Sequence, residues 1–148
     1  MKKVASLIAM MIAFTFCLNA NAEVVELPED VDQMCEDASE EFDICPSILK
    51  ALVYQESRGI LDNASQITYT GWFEEGFTYT GNNEKHDKRN SIRVCAYYLK
   101  KWNREYRDIN ISLTGWNMGI ENSLAREGRS VYATSVLKYA EIFERSQR

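Results

Sequence analysis

The chain has 148 residues, of which 45% are hydrophobic and 26% charged, with 22 acidic against 17 basic side chains and a formal net charge of −5. That balance excludes a protein that holds nucleic acid through a basic surface. The length allows one domain with a real core, and not two.

Residues 1–22 read as a secretory signal peptide rather than as fold. Lys2 and Lys3 precede an apolar run from Val4 to Leu18, and Ala20-Asn21-Ala22 supplies the small residues of a cleavage site. The run ends after 15 residues, short of the roughly 20 that cross a bilayer. Phe16 stands before Cys17, where a lipoprotein signal requires a small residue. An exported, periplasmic domain over residues 23–148 is therefore expected, and without Lys2 and Lys3 it carries 15 basic against 22 acidic groups, a net charge of −7.

Glu23 to Asp32 is an acidic leader containing Pro28 and reads as extended. The spacing of Met34, Ala38 and Phe42 predicts a first helix over Gln33 to Phe42. A second begins at Pro46, suited to a first helical turn, and stops near Gly59. From Ile60 to Asn90 the periodicity gives way to Gly, Asn, Thr and aromatic residues, with Thr68-Tyr69-Thr70 and Phe77-Thr78-Tyr79 as short strands in an irregular insert that should line a cleft. A third helix spans about Asn90 to Arg107, with Ile92, Cys95, Leu99, Trp102 and Tyr106 as its core stripe. A short helix over Ile111 to Asn117 ends at Gly119, and Tyr132, Val136, Tyr139 and Phe143 mark a last amphipathic helix.

Within the second helix Ile48, Leu52 and Glu56 recur every four residues, flanked by Leu49 and Val53, so a carboxylate continues the apolar stripe. Burial disfavours the charged form of a carboxyl group and raises its pKa, which is what a general acid needs. By itself the placement also fits a helix-end side chain that snorkels to water. The remaining chemistry is sparse. Cys35, Cys45 and Cys95 follow the signal, an odd number in an oxidising context, which reads as one disulfide and one buried thiol. No Cys-x-x-Cys pair exists, and the single histidine, His86, lies in a polar stretch as an ordinary loop residue. Neither a metal, another cofactor nor a Ser-His or Cys-His nucleophile pair is expected.

The order of motifs resembles the lysozyme-like lytic transglycosylases, the soluble-lytic-transglycosylase family that includes relatives of goose-type lysozyme. The helix ending in Glu-Ser is Val53-Tyr54-Gln55-Glu56-Ser57, and Ser65 stands nine residues beyond the glutamate. The family's Gly-Leu-Met-Gln is matched by Gly71-Trp72-Phe73-Glu74. Its helix motif Asn-Ile-x-x-Gly-x-x-Tyr-Leu is matched by Ser91-Ile92-Arg93-Val94-Cys95-Ala96-Tyr97-Tyr98-Leu99, and its Ala-Tyr-Asn-x-Gly by Gly115-Trp116-Asn117-Met118-Gly119. Its terminal Tyr-Val-x-x-Val is approximated by Tyr132 to Val136. The head of the domain, from Cys35 into the Glu56 helix, is especially similar to the small members that accompany secretion and conjugation machines.

The resemblance implies a mostly α, lysozyme-like single domain with an irregular or short β insert lining the cleft. It implies cleavage of the β-1,4 bond between N-acetylmuramic acid and N-acetylglucosamine in peptidoglycan, with Glu56 as sole acid and base and with 1,6-anhydro ends as product. A hydrolytic muramidase and a non-catalytic wall-binding module are the alternatives on the same fold. Ser57, Ser65, Gly71, Trp72, Phe73, Glu74, Trp116, Asn117 and Tyr132 fall at positions implied to surround the glutamate and the sugars. On the residues alone, Ser57 is equally a helix-terminal hydrogen bonder, Asn117 a turn former, and Trp72, Phe73 and Trp116 core fillers. Two departures matter: Trp116 offers an indole N–H where the family's tyrosine hydroxyl can hold the glutamate, and Glu74 adds an acid that would tune Glu56 or activate water. Implied partners are peptidoglycan strands and components of an envelope-spanning apparatus; no nucleic acid is implied, and the protein is expected to be a monomer. A Cys35 to Cys95 bridge, leaving Cys45 free, is likewise implied by the family's pairing of a cysteine at the first position.

Overall fold

The structure is a computed structural model that describes residues 25–57 and 88–147. The segment 1–22 expected to be a signal peptide, the short strands expected at 68–70 and 77–79, and His86 lie outside the described residues. Within them every regular element is a helix: α1 (Glu29–Phe42), α2 (Pro46–Ser57), α3 (Lys88–Tyr106), α4 (Ile109–Met118), α5 (Ile120–Ala125) and α6 (Val131–Ser146). No described helix is long and apolar enough to cross a membrane.

The expected extended leader is corrected at its end, because the first helix begins four residues earlier than the apolar spacing predicts. Glu29, Asp30 and Asp32 occupy the first turn of α1, where negative charge is favoured by the helix dipole. Pro28 caps it with extended backbone, and its carbonyl accepts from the Asp32 amide at 2.9 Å. The helix stops at Asp43, which adopts the left-handed conformation (φ 50°, ψ 59°). Lys100 secures that turn from α3, donating to the Asp43 carbonyl at 3.0 Å and its carboxylate at 2.8 Å.

α2 is the central element. Leu49, Ala51, Leu52 and Val53 have no exposed surface, and α2 packs most extensively on α6, then on α1 and α3. The predicted stripe of α3 holds: Ile92, Cys95, Leu99 and Trp102 are buried and Tyr106 is half-buried. On its other side α3 lies parallel to α1, with ion pairs running in register from Lys88–Asp30 through Arg89–Asp37 and Arg93–Glu41 to Lys100–Asp43.

Lys50 departs from the usual rule that lysine stays wet. Its side chain is 4% exposed, yet its ammonium lies 2.8 Å from Asp32 and 2.6 Å from Glu36. The two half-exposed carboxylates make its burial tolerable and tie α1 to α2.

Gly119, at φ 87°, ends α4 and starts α5. The six residues of α5 escape sequence reading because Glu121, Asn122 and Ser123 give no apolar period over so short a span. Gly128 does the same work before α6: at φ 70° it sits so close to α4 that a Cβ would stand 2.7 Å from the Ile111 nitrogen.

Candidate active site

Tyr54, Gln55 and Glu56 form the last turn of α2 with Ser57, and α6 runs antiparallel beside them. Each of the three has a partner there. The Tyr54 ring meets Tyr139 edge-on at 4.9 Å and Phe143 at 6.1 Å. Gln55 accepts from the Ser135 hydroxyl at 3.1 Å. Glu56 accepts from the Tyr132 phenol. The partners descend along α6 as α2 ascends, so the docking of the two helices fixes where the carboxylate stands.

A second polar group stands on α4, the Trp116 indole N–H, which favours the charged form of Glu56. Trp116 is half-buried beside Tyr98, ring centroids 6.4 Å apart, while Tyr98 packs on Trp102 at 5.2 Å. Gly115 permits this placement, since a Cβ there would lie 3.0 Å from Ile120 Cδ1 and 3.5 Å from the Trp102 ring.

Glu56 is half-buried and its pKa is raised, chiefly because burial penalises the carboxylate, with the Tyr132 and Trp116 bonds pulling the other way. Its place near the C-terminal end of α2 acts with burial, because the carbonyl end of a helix disfavours negative charge and the last turn has no basic residue to offset it. The Tyr132 hydroxyl is held far above the ordinary phenol range by its own burial and then by the charge and bond of Glu56. It therefore remains a donor around neutral pH. Cys95 of α3 feels the same carboxylate: burial first, then the charges of Glu56 and Cys35, push its thiol up.

The expected site residues divide accordingly. Glu56, Trp116 and Tyr132 come together. Ser57 is buried beside them in sequence and its hydroxyl donates to the Val53 carbonyl at 3.2 Å, as a helix-terminal hydrogen bonder does. Asn117 is exposed at the end of α4. Ser65, Gly71, Trp72, Phe73 and Glu74 lie outside the described residues.

Tyr132, expected among the substrate-binding residues, places its phenol on the Glu56 carboxylate. Sequence reading missed Gln55 and Ser135, whose only signal was that Ser135 shares the inward side of α6 with Tyr132, Val136 and Tyr139.

The implied Cys35 to Cys95 bridge is absent, and all three described cysteines carry free thiols. Cys35 and Cys95 are wholly buried, and burial raises both thiols, which suppresses the thiolate through which disulfides form. Cys45 is exposed, 3.1 Å from the Ser47 hydroxyl. No group of three or more His, Cys, Asp or Glu able to hold a metal occurs among the described residues.

Carboxyl burial raises the proton affinity of Glu56, and the Tyr132 phenol holds its ionised form, so that one group can give up a proton and then serve as a base in the same position. No family model, curated protein or solved structure matches the chain.

Proposed function

We propose that the protein is a lytic transglycosylase of the lysozyme-like type, cleaving the β-1,4 bond between N-acetylmuramic acid and N-acetylglucosamine in peptidoglycan. The observation that carries this reading is Glu56 itself: half-buried at the end of α2, raised in proton affinity, and bonded by the Tyr132 phenol, with the Trp116 indole favouring its charged form. The order of sequence motifs around it supplies the substrate class.

In this mechanism protonated Glu56 donates to the glycosidic oxygen as the bond to the muramic acid C1 breaks. The departing N-acetylglucosamine takes that proton. The Glu56 carboxylate then removes the proton of the muramic acid 6-hydroxyl, whose oxygen bonds to C1 and closes the 1,6-anhydro ring. The proton returns to Glu56, no water is consumed, and one residue serves as acid and base. Tyr132 and Trp116 stabilise the transient carboxylate. The reading includes an exported, periplasmic enzyme on a lysozyme-like domain that opens the wall locally for an envelope-spanning apparatus.

The test is digestion of purified peptidoglycan with the wild type and with Glu56→Gln, followed by mass spectrometry of the fragments. Anhydro ends that disappear in the variant are the expected result. Reducing ends in their place identify a hydrolytic muramidase, and retained binding without cleavage by either protein identifies a wall-binding module.

A further inference from the structure

The two donors on Glu56 come from different helices, so their separation needs a mechanical cause. Two residues before Trp116 stands Thr114, without exposed surface; two residues before Tyr132 stands Ser130, the N-cap of α6. Their hydroxyl oxygens are 2.7 Å apart, and Thr114 also reaches the Gly128 carbonyl at 2.8 Å.

The direction of each proton follows from counting. A hydroxyl has one hydrogen, and a carbonyl can only accept. Thr114 must therefore give its hydrogen to Gly128, so Ser130 gives its own to Thr114. The Ala133 amide in turn donates to Ser130 at 3.0 Å. The result is one ordered chain, Ala133 N–H to Ser130 O–H to Thr114 O–H to Gly128 carbonyl. It joins the first turn of α6 to the middle of α4. The close approach of Gly128 to Ile111 and the 2.7 Å bond from Ser123 to the Ile111 carbonyl clamp the intervening segment to the same helix.

We infer that Thr114 is a positioning residue, holding the Trp116 and Tyr132 arms at the separation that grips Glu56. It touches neither Glu56 nor either arm's donor atom; it works by fixing the two backbones that carry them. Its consequence for cleavage rests on the reading of Glu56 as the reacting acid, but its effect on the Glu56 carboxyl does not. Among the described residues, the titratable groups that face Glu56 are Tyr132 from α6 and Cys95 from α3.

The experiment titrates the Glu56 carboxyl carbon by NMR in the full chain, assigned by its loss in Glu56→Gln, for wild type, Thr114→Val and Thr114→Ser. Valine keeps the shape and removes both bonds; serine keeps the hydroxyl. The expected result is an upward shift of the Glu56 midpoint in the valine variant, because loosened donors favour the carboxylate less, with the wild-type value restored in the serine variant. Cleavage should fall on the order of 10-fold in the first and recover in the second. Should Thr114→Val fail to fold, Ser130→Ala cuts the same link from α6 and must move the midpoint in the same direction. A midpoint unmoved in the folded variant, or a shift in valine that serine does not reverse, overturns the inference. Absence of cleavage by the wild type would sink the glycan-cleaving reading and leave the titration to decide the role of Thr114.

Discussion

The phenol of Tyr132 donates to the carboxylate of Glu56 across 76 positions of sequence. This contact converts helix docking into chemistry: the antiparallel packing of α2 on α6, built from Tyr54, Tyr139 and Phe143, ends at a side chain whose proton affinity it controls. Burial lifts that affinity and the two donors restrain it. On the proposed reading of Glu56 as the reacting acid, cleavage depends on the balance of the two.

Tyr132→Phe removes one restraint and keeps the packing. The Glu56 pKa should rise, because the lost bond favoured the charged form. The alkaline limb of the cleavage profile, where the acid loses its proton, should move to higher pH. The rate at the optimum should drop about 10-fold or more, since a hydrogen bond to a charged group contributes about 1.5–3 kcal/mol. A pH profile against purified wall material reads both effects. A limb that stays in place or moves down would show that the phenol does not act on the carboxylate.

Glu56→Gln should abolish cleavage and also reveal the cost of the buried charge. The unfolded-state pKa of glutamate is about 4.3, and the folded value lies above it. Stability from a raised acid is present below the unfolded value and is lost as pH rises through the folded one. The wild type should thus lose stability relative to the glutamine variant from about pH 4.3 upward, with the difference levelling off once Glu56 is ionised. Thermal unfolding of both proteins across pH 3.5–8 measures this. A pH-independent difference between them, or one that grows in favour of the wild type, would contradict a desolvated Glu56.

Much of this arrangement is legible in the sequence, and the rest fails for identifiable reasons. Period-3.6 stripes mark the courses of α3 and α6 because one face of each is buried, whereas α2 is buried on every side from Leu49 to Tyr54, and Glu56 stands out as an acid continuing its apolar run. The start of α1 was missed because acidic residues in a first turn are favourable electrostatically yet look like a polar leader to an apolar pattern. Lys50 was missed because its burial depends on Asp32 and Glu36, one and more helical turns along another helix. The link from Thr114 to Ser130 has no sequence signal at all: two hydroxyl residues 16 positions apart meet only because Gly119 and Gly128 turn the chain back.

The Lys50 triad should respond non-additively to neutralisation. Either Asp32→Asn or Glu36→Gln leaves the ammonium one close carboxylate and should cost about 1 kcal/mol or less, since both acids are partly solvated. The double variant leaves a buried charge uncompensated and should cost about 3 kcal/mol or more. The sign with pH can be checked separately. Burial alone would lower the Lys50 pKa, but the bonds and charges of Asp32 and Glu36 outweigh it and the net shift is upward. Its contribution is then fully present below the ordinary lysine value, about 10.4, and is lost only as pH rises through the higher folded one. Denaturant unfolding at neutral pH tests the energies, and strictly additive costs would refute a shared clamp.

Cysteine accessibility gives an independent check on the core that carries the site. Cys45 is exposed, whereas Cys35 and Cys95 lie in the interior against α2, with their thiolates disfavoured by burial. Alkylation of the native protein near pH 8, read by peptide mass mapping, should modify Cys45 and leave Cys35 and Cys95 untouched; denaturation without reductant should release both. Resistance of Cys35 and Cys95 to alkylation after unfolding, relieved only by reductant, would establish the bridge that the packed structure lacks. Replacing Cys95 by alanine should also weaken the fold by about 1–3 kcal/mol through a cavity between α3 and α2. If the loss instead falls mainly under oxidising conditions, the stabilising element is a disulfide rather than packing.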